Sequence, residues 1–524
     1  MKPQIRTRFA PSPTGFLHVG GIRTALFAYL VAKQAGGTFV LRLEDTDQKR
    51  EVPGSREHLI SSLKSLGIDY DEGPDKPGEF GPYVQSERLP IYKEWAQKLI
   101  DAGRAYADPY SSEEIQAFRD EAQAAKRAFR YRDHRPENPP AWDGSQPLRF
   151  KSDPKSYTYH DEVMGDITTS KEVVDDFILI KSDGYPTYNF AHIIDDMLMR
   201  ITHVIRGQEF LSSMPNYLNL YEALGFDMQQ SGTDDSSERH LQPENFPTQT
   251  GEISGAKPSE DGLSSEAGQR KLPKFAHMPH IMNEQGNKKL GKRDGAKDVL
   301  DYIRDGYLPE ALVSFIATLG WNDGTEQEIF TKQELIDKFS LDRVQKSGAR
   351  FDEKRLLWMN GHFIRELPLS ELEARAEFFW PESAKKASES YKRDVLKLAQ
   401  DRLKTLRNLP SLTSYFFEEP APDTTLISDN KQLRKLSNDA IKDLLQQSHD
   451  ALAVVGEWSP ESVQETLNQL LETTGQKPGI LFSLIRIATT WAPFSPQLND
   501  TLALLGQQRA LERIVKSIDF LNDY

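Results

Sequence analysis

Three short stretches carry residue types that could do chemistry. The first runs Arg8-Phe9-Ala10-Pro11-Ser12-Pro13-Thr14-Gly15-Phe16-Leu17-His18-Val19-Gly20-Gly21. Its glycines let a ligand's phosphates come close to the backbone, and the N–H groups and dipole of a helix starting there favour an anion. Gly/Pro-rich turns also join strands to helices without any ligand, and the spacing is neither of the usual phosphate-loop fingerprints, so both readings stand. The second is His203-Val-Ile-Arg206-Gly207, where an arginine at a strand end beside a glycine turn suits a two-pronged grip on a carboxylate. The third is Asn287-Lys288-Lys289-Leu290-Gly291-Lys292-Arg293. Four bases in a glycine-bounded loop can grip a triphosphate and follow negative charge onto departing pyrophosphate, although basic loops are common.

Ile5 to Phe9 is predicted as a strand, broken by prolines and Gly15. Gly20 and Gly21 then open an amphipathic helix carrying Ala25, Leu26, Tyr29 and Leu30. Thr38 to Glu44 alternates as a strand and ends in the acidic turn Glu44-Asp45-Thr46-Asp47. Strand, helix, strand makes a parallel βαβ unit, which sets ligands at the carboxyl ends of its strands. Glu44 sits at such an end, where a solvated capping turn is the alternative. Helices are expected over Gly54–Leu66 and Gln85–Ala102, and a helical run from Ser111 to about Arg135 carries Arg119, Lys126, Arg127, Arg130, Arg132 and Arg135. The stretch Gly184 to His192 is read as a strand bearing Tyr188, Phe275 to Met282 as another, and the chain after Ala296 as mostly helical.

At 524 residues, with 38% hydrophobic and 27% charged positions, several domains of a polar globular enzyme are expected. No apolar run reaches a bilayer span and no signal sequence is recognisable, so a cytoplasmic protein without membrane attachment is expected. Zero cysteines exclude disulfides and thiolate metal sites, and the eleven histidines show no pair at metal spacing. The net charge of −14 argues against a general nucleic-acid coat, but charge is segregated: nine acidic and four basic residues lie between Asp227 and Lys271. That segment, nearly devoid of aliphatics, cannot bury enough apolar surface to offset its ordering entropy and is expected to be disordered.

Ala10-Pro11-Ser12-Pro13-Thr14-Gly15 followed by His18-Val19-Gly20-Gly21 resembles the ATP signature of class I aminoacyl-tRNA synthetases in the form found in glutamyl-tRNA synthetases. Gly21 replaces the usual final histidine of that signature. Lys289-Leu290-Gly291-Lys292 resembles the second class I signature, Lys-x-Ser-Lys, with Gly291 in place of the serine. Gln85-Ser-Glu-Arg-x-x-x-Tyr, Gly184 to His192, Leu319-Gly-Trp-Asn-Asp, Phe351-Asp-Glu-Lys-Arg-Leu and Met359-Asn-Gly follow in the family's order.

The resemblance implies an α/β Rossmann-type catalytic domain interrupted by an acceptor-binding α/β domain, then an all-α C-terminal half. The implied boundaries are 1–105 and 185–297 for the catalytic domain, with an insertion at 228–271. The implied acceptor-binding domain is 106–184, the linking domain 298–365 and the helical anticodon-binding region 366–524. It implies ATP contacts from Ala10, Pro11, Ser12, Gly15, His18, Gly20, Gly21, Lys289, Leu290, Gly291, Lys292 and Arg293, with His18, Lys289 and Lys292 catalytic. Glutamate would meet Arg8, Ser12, Glu44, Tyr188, His192 and Arg206: Glu44 at the ammonium, Arg8 and Tyr188 at the side-chain carboxylate, Arg206 towards the α-carboxylate. His192 stands where relatives carry asparagine or a small apolar residue, either as a polar contact or as a buried, hydrogen-bonded histidine. Lys126, Arg127, Arg130, Arg402, Lys477 and Arg486 are candidate tRNA contacts.

Where many relatives carry cysteines of a zinc site, this chain has Tyr106-Ala-Asp108-Pro-Tyr110, so no zinc is expected and packing there should be hydrophobic. The implied activity is ATP-dependent activation of L-glutamate, with Mg²⁺ accompanying the ATP, and transfer to the 3′ ribose of tRNA(Glu), with tRNA(Gln) open as a second acceptor. A monomer is expected. Two rivals stand beside this reading, a catalytically weakened tRNA-binding paralogue and a nucleotidyltransferase with a small-molecule acceptor.

Overall fold

The computed structural model describes residues 4–228, 270–291, 297–492 and 494–522. Lys292, Arg293 and the expected disorder within 229–269 lie outside the described residues. The chain forms two compact units, residues 1–300 with 313–352 and residues 301–312 with 353–524.

The first unit is built on strand β1 (Arg6–Phe9), helix α1 (Val19–Gln34) and strand β2 (Thr38–Leu41). Helices α2 (Ser55–Ser65) and α3 (Leu89–Asp101) follow, then β3 (Ala105–Ala107), α4 (Ser112–Ala124), β4 (Leu148–Phe150), β5 (Tyr157–Asp161), β6 (Gly165–Thr169) and β7 (Ile178–Ile180). The chain continues through α5 (Tyr188–Leu198), β8 (His203–Gly207), α6 (Met214–Ala223), β9 (Phe226–Asp227), β10 (Arg270–Lys271), β11 (Lys274–Met278), β12 (Ile281–Met282) and β13 (Ala349–Arg350). The main sheet has the order β2-β1-β8-β11-β5-β6 and is parallel except for the β5–β6 hairpin at its edge. A smaller antiparallel sheet, β3-β4-β7, is formed within the 106–184 stretch and its flank, whose hairpin β5–β6 extends the main sheet instead.

Strand parity decides where the ionic side chains go. All four residues of β1 are buried, as expected for a central parallel strand covered on both faces. Thr7 hydrogen-bonds the Ala28 carbonyl of α1 at 2.7 Å, so its neighbours Arg6 and Arg8 point to the opposite face. Thr7 is level with His203 and Arg206 with His277, which brings Arg206 and His277 to the same face as Arg8, under α5.

Two local expectations need correction. Tyr188 is not in a strand but is the first residue of α5, behind the N-cap Thr187. The period of Phe190, Ile193, Ile194 and Met197 is helical, and the Pro186 turn separates them from β7. The helical run from Ser111 stops at Ala124, where Lys126 takes a left-handed φ of 52° and the Arg127 N–H bonds the Ala122 carbonyl at 3.0 Å, closing the helix end.

The 106–184 stretch is held by polar hubs as well as by apolar contacts. Buried Asp108 accepts from Arg149 at 2.6 Å and from the Tyr131 hydroxyl. Asp176 accepts from Tyr106, Arg135 and Ser152 at 2.6–2.9 Å. Among the described residues no group of three His, Asp or Glu side chains could hold a metal ion.

The short parallel pair β9–β10 brings Phe226 level with Arg270, so the flanks of the 229–269 segment lie side by side. The second unit is helical among its described residues. In the helix Pro478–Thr490, Leu481, Leu484, Ile485 and Ala488 recur at helical spacing and are buried in its core with Leu502, Ala510 and Ile514. Among the described residues no helix is long and apolar enough to cross a membrane.

Candidate active site

A cleft of about 980 Å³ opens over the carboxyl ends of β1, β8 and β11 and the N-terminus of α1. His18 is the N-cap of α1: its Nδ1 accepts from the Gly20 N–H at 3.1 Å. The neutral ring therefore carries its proton on Nε2, the tautomer that donates. The two glycines follow from close packing. A Cβ on Gly20 would sit 3.0 Å from the His18 ring, and one on Gly21 would sit 2.5 Å from Leu17 Cδ1.

Beneath the cleft floor lies an ionic lattice of three arginines and three carboxylates. Asp196 accepts from Arg8 at 3.1 Å and from Arg42 at 2.8 Å; Asp195 accepts from Arg88 at 2.7 Å and Tyr92 at 2.8 Å; Glu44 accepts from Arg42 at 2.9 Å. All six charged groups are buried, where an unpaired charge would be costly and a paired one is tolerated. Burial acts to raise Asp196, but Arg8 and Arg42 outweigh it and hold the carboxyl well below its usual range. Glu44 goes the other way: burial pushes it up to about 7 against the pull of Arg42 and Arg8. Its second oxygen, Oε2, has no hydrogen-bond partner among the described residues, and Glu44 lines the cleft. A buried carboxylate oxygen in that state suits a cationic donor from a ligand.

Arg206 differs from the lattice arginines. It donates to His277 Nε2 at 3.1 Å, to His192 Nε2 at 3.2 Å and to the Met214 sulfur at 3.0 Å, and it lies under the rings of Phe210 and Tyr217. The Tyr188, Tyr217 and Tyr221 hydroxyls are also near, and none of these partners is a carboxylate. It is a 5% exposed guanidinium that lines the cleft and is suited to an incoming carboxylate. Tyr188 lines the cleft between His192 and Phe210, with ring centroids at 4.6 and 5.0 Å.

On the opposite wall the chain turns through Met282 and Lys289. Leu290 N–H bonds the Ile281 carbonyl at 2.8 Å, and Asn283 N–H bonds the Lys288 carbonyl at 2.9 Å. This hairpin carries Lys289 into the cleft lining, 3.9 Å from Glu209.

The cleft thus gathers Arg8, Ala10, Pro11, Ser12, His18, Gly20, Gly21, Glu44, Tyr188, Arg206 and Lys289. Gly15, Leu290 and Gly291 are not in its lining, and His192 lies behind Tyr188, buried and bonded, as one of the two readings of that residue had it. Of the basic candidates, Arg127 and Arg130 are paired with Glu121, Asp133 and Glu172. Arg486 donates to Ser495 at 2.7 Å. Lys126, Arg402 and Lys477 are exposed.

Sequence reasoning missed Arg42, Arg88, Asp161, Asp195, Asp196, Glu209 and His277. The adjacent acids Asp195-Asp196 inside the apolar pattern of α5 were the available signal, because acids on a buried helix face call for cations.

Residues 4–236 and 262–358 match the catalytic domain of class I tRNA synthetases (E and Q), and residues 371–518 match an anticodon binding domain. The chain is 37% identical to a glutamate-tRNA ligase of Clostridium botulinum, with 99% of each chain covered. It is 36% identical to a glutamate-tRNA ligase of Dehalococcoides mccartyi, covering 100% of this chain and 99% of the relative. Among solved structures it resembles a glutamate tRNA ligase from Elizabethkingia meningosepticum in complex with its amino acid. That likeness has a TM-score of 0.79 at 29% identity, over 99% of this chain and 100% of the other.

Proposed function

The chain belongs to the class I tRNA synthetases of the E and Q type and is an aminoacyl-tRNA ligase, and from that premise we propose how its cleft acts on L-glutamate, ATP and tRNA(Glu). One observation carries the reading of the amino-acid site: Arg206, a buried cation with no carboxylate partner among the described residues, shares a cleft with Glu44, a buried carboxylate with one oxygen unpartnered among them. Glutamate offers the complement, two carboxylates and an ammonium group. Arg206 takes the α-carboxylate, Arg8 and Tyr188 the side-chain carboxylate, and Glu44 the ammonium group.

A glutamate α-carboxylate oxygen then attacks the α-phosphorus of ATP, and the bond from that phosphorus to the bridging oxygen breaks to release pyrophosphate. The His18 Nε2–H and the N-terminus of α1 oppose the charge that builds on the α-phosphoryl oxygens, and Lys289 follows charge onto the leaving pyrophosphate. Lys292 and Arg293 are assigned the same leaving-group role. This is catalysis by position and electrostatics, with no protein nucleophile. Mg²⁺ would arrive on the triphosphate, which suits a cation that keeps few protein ligands. In the second step a 3′-terminal ribose hydroxyl attacks the glutamyl carbonyl carbon and AMP leaves with the electron pair.

We assign the segment 106–184 to the acceptor end of tRNA, 298–365 to a linking domain and 366–524 to the anticodon. Exposed Lys126, Arg402 and Lys477 are better contacts than the internally bonded Arg127, Arg130 and Arg486. The protein is proposed to work as a cytoplasmic monomer, with tRNA(Gln) a further acceptor to be tested. Rapid-quench charging of tRNA(Glu) and tRNA(Gln) transcripts tests the reading. Glutamyl-tRNA should form far above a His18→Ala control, and no product above that control overturns it in favour of a tRNA-binding paralogue.

A further inference from the structure

Arg206 is oriented by a buried relay that begins two strands away in its sheet. Asp161, the last residue of β5 and fully buried, accepts the His277 and Met164 backbone N–H groups at 3.2 and 2.9 Å, and its other oxygen lies 2.5 Å from His277 Nδ1. His277 Nε2 faces Arg206 Nε at 3.1 Å. Behind the same guanidinium, His192 Nε2 faces Arg206 Nη1 at 3.2 Å, and His192 Nδ1 lies 2.7 Å from the Tyr188 carbonyl.

Arginine can only donate, so both Nε2 atoms must accept. Each histidine then carries its proton on Nδ1, where a carboxylate in one case and a carbonyl in the other receives it. Burial and the nearby Arg206 charge both hold His192 and His277 below the usual imidazole range, in keeping with two neutral rings. Arg206 is therefore fixed in direction by neutral acceptors, two imidazoles and the Met214 sulfur, and the nearest carboxylate of the relay is kept one imidazole away.

We propose that His277, locked by Asp161, and His192 are positioning residues that aim Arg206 while leaving its charge uncompensated for the substrate carboxylate. The inference rests on the glutamate site proposed above. A carboxylate placed directly on Arg206 would hold it as firmly but would compete with the ligand for its charge. An imidazole gives direction without neutralisation. The same relay explains why a histidine is useful at position 192: its second nitrogen anchors on the Tyr188 carbonyl and its ring stacks on the Tyr188 ring, so one side chain sets two groups of the cleft.

The test is calorimetric titration of L-glutamate into the full chain with tRNA(Glu) transcript, for the wild type and four variants, with KM for ATP and thermal melts in parallel. His277→Gln keeps a neutral acceptor and should bind glutamate within about threefold of wild type. His277→Leu removes the acceptor and should weaken binding about tenfold or more. Asp161→Asn, whose amide can donate to Nδ1 and so move the imidazole proton to Nε2 against Arg206, should weaken it similarly even if His277→Leu fails to fold. His277→Glu supplies the counter-charge and should bind weakest of all. KM for ATP should change less than threefold throughout. Equal affinity of the His277→Glu and His277→Gln variants overturns the proposal, as does a parallel rise in the ATP constant. Wild-type protein that takes up no glutamate overturns the glutamate site itself and this inference with it, whereas normal wild-type uptake with indifferent variants removes only the relay.

Discussion

Arg42 reaches Glu44 through one hydrogen bond of 2.9 Å, to Oε1, and the other carboxylate oxygen has no partner among the described residues. The pair is buried, and burial pushes Glu44 up to about 7. The charged form that would hold an ammonium group is therefore present above that pH and is lost as the pH falls through it. KM for glutamate should rise as the pH drops from 8 to 6, while Glu44→Gln should bind glutamate weakly with little dependence over that range. Initial-rate charging at fixed, saturating ATP measures both, and a pH-independent wild-type KM would count against the assignment.

His18 caps α1 through Nδ1, and the proposed mechanism gives it a second, separable duty of donating from Nε2. His18→Asn retains a good cap, whereas His18→Ala costs about 1 kcal/mol of helix capping. Both should lose about 10²–10³ in the rate of adenylate formation. Urea denaturation beside pyrophosphate exchange separates the two, and an Asn variant as active as wild type would remove His18 from the chemistry.

Asp196 joins Arg8 to Arg42 and is the hub of the lattice. Asp196→Ala removes the carboxylate partner of buried Arg8 and one of those of Arg42, and should destabilise the first unit by about 3–5 kcal/mol. Because its folded value is depressed, its contribution is present above the ordinary aspartate range and is lost as the pH falls below it. The denaturation midpoint of the wild type should consequently fall on strong acidification more steeply than that of Asp196→Asn.

The flanks of 229–269 already lie in adjacent strands, which are about 4.8 Å apart in any sheet. Replacing 229–269 by a short glycine-serine linker should leave the melting temperature within a few degrees and charging within about twofold. A collapse of either would make that segment structural.

Asp108 and Asp176, each with several donors, stand where cysteine ligands are absent. Charging in excess Mg²⁺ should be indifferent to a zinc-selective chelator, and Asp176→Ala should lower the melting temperature by several degrees. Loss of activity on chelation would reveal a metal requirement.

What could be read from the chain was whatever local pattern decides. The proline and glycine breaks between β1 and α1, the alternation of Thr38 to Glu44 and the apolar period of the C-terminal helices are local, and each produced its element, although the strand itself ends at Leu41. Tyr188 was misassigned because the few residues around it fit a strand, whereas its helix is decided by apolar positions further along α5. The partners of Arg8 and Arg206 were out of reach for a different reason. Asp196 and His277 lie 188 and 71 residues from them, and only strand parity brings each pair to one face. Arg127 and Arg130 show the opposite failure: their charge was plain, but their acidic partners Glu121 and Glu172 decide how much of it is available.

The alternation that puts Arg6, Arg8, Arg206 and His277 under α5 also makes misfolding self-limiting. A slip of one residue in β1 would turn Arg6 and Arg8, and one in β8 would turn Arg206, towards α1, whose buried face carries the apolar Ile22, Ala25, Leu26 and Leu30 and no carboxylate. A chain that pairs these strands wrongly would bury cations in hydrocarbon, so the charges of the candidate site also act as a proofreading code for the strand register.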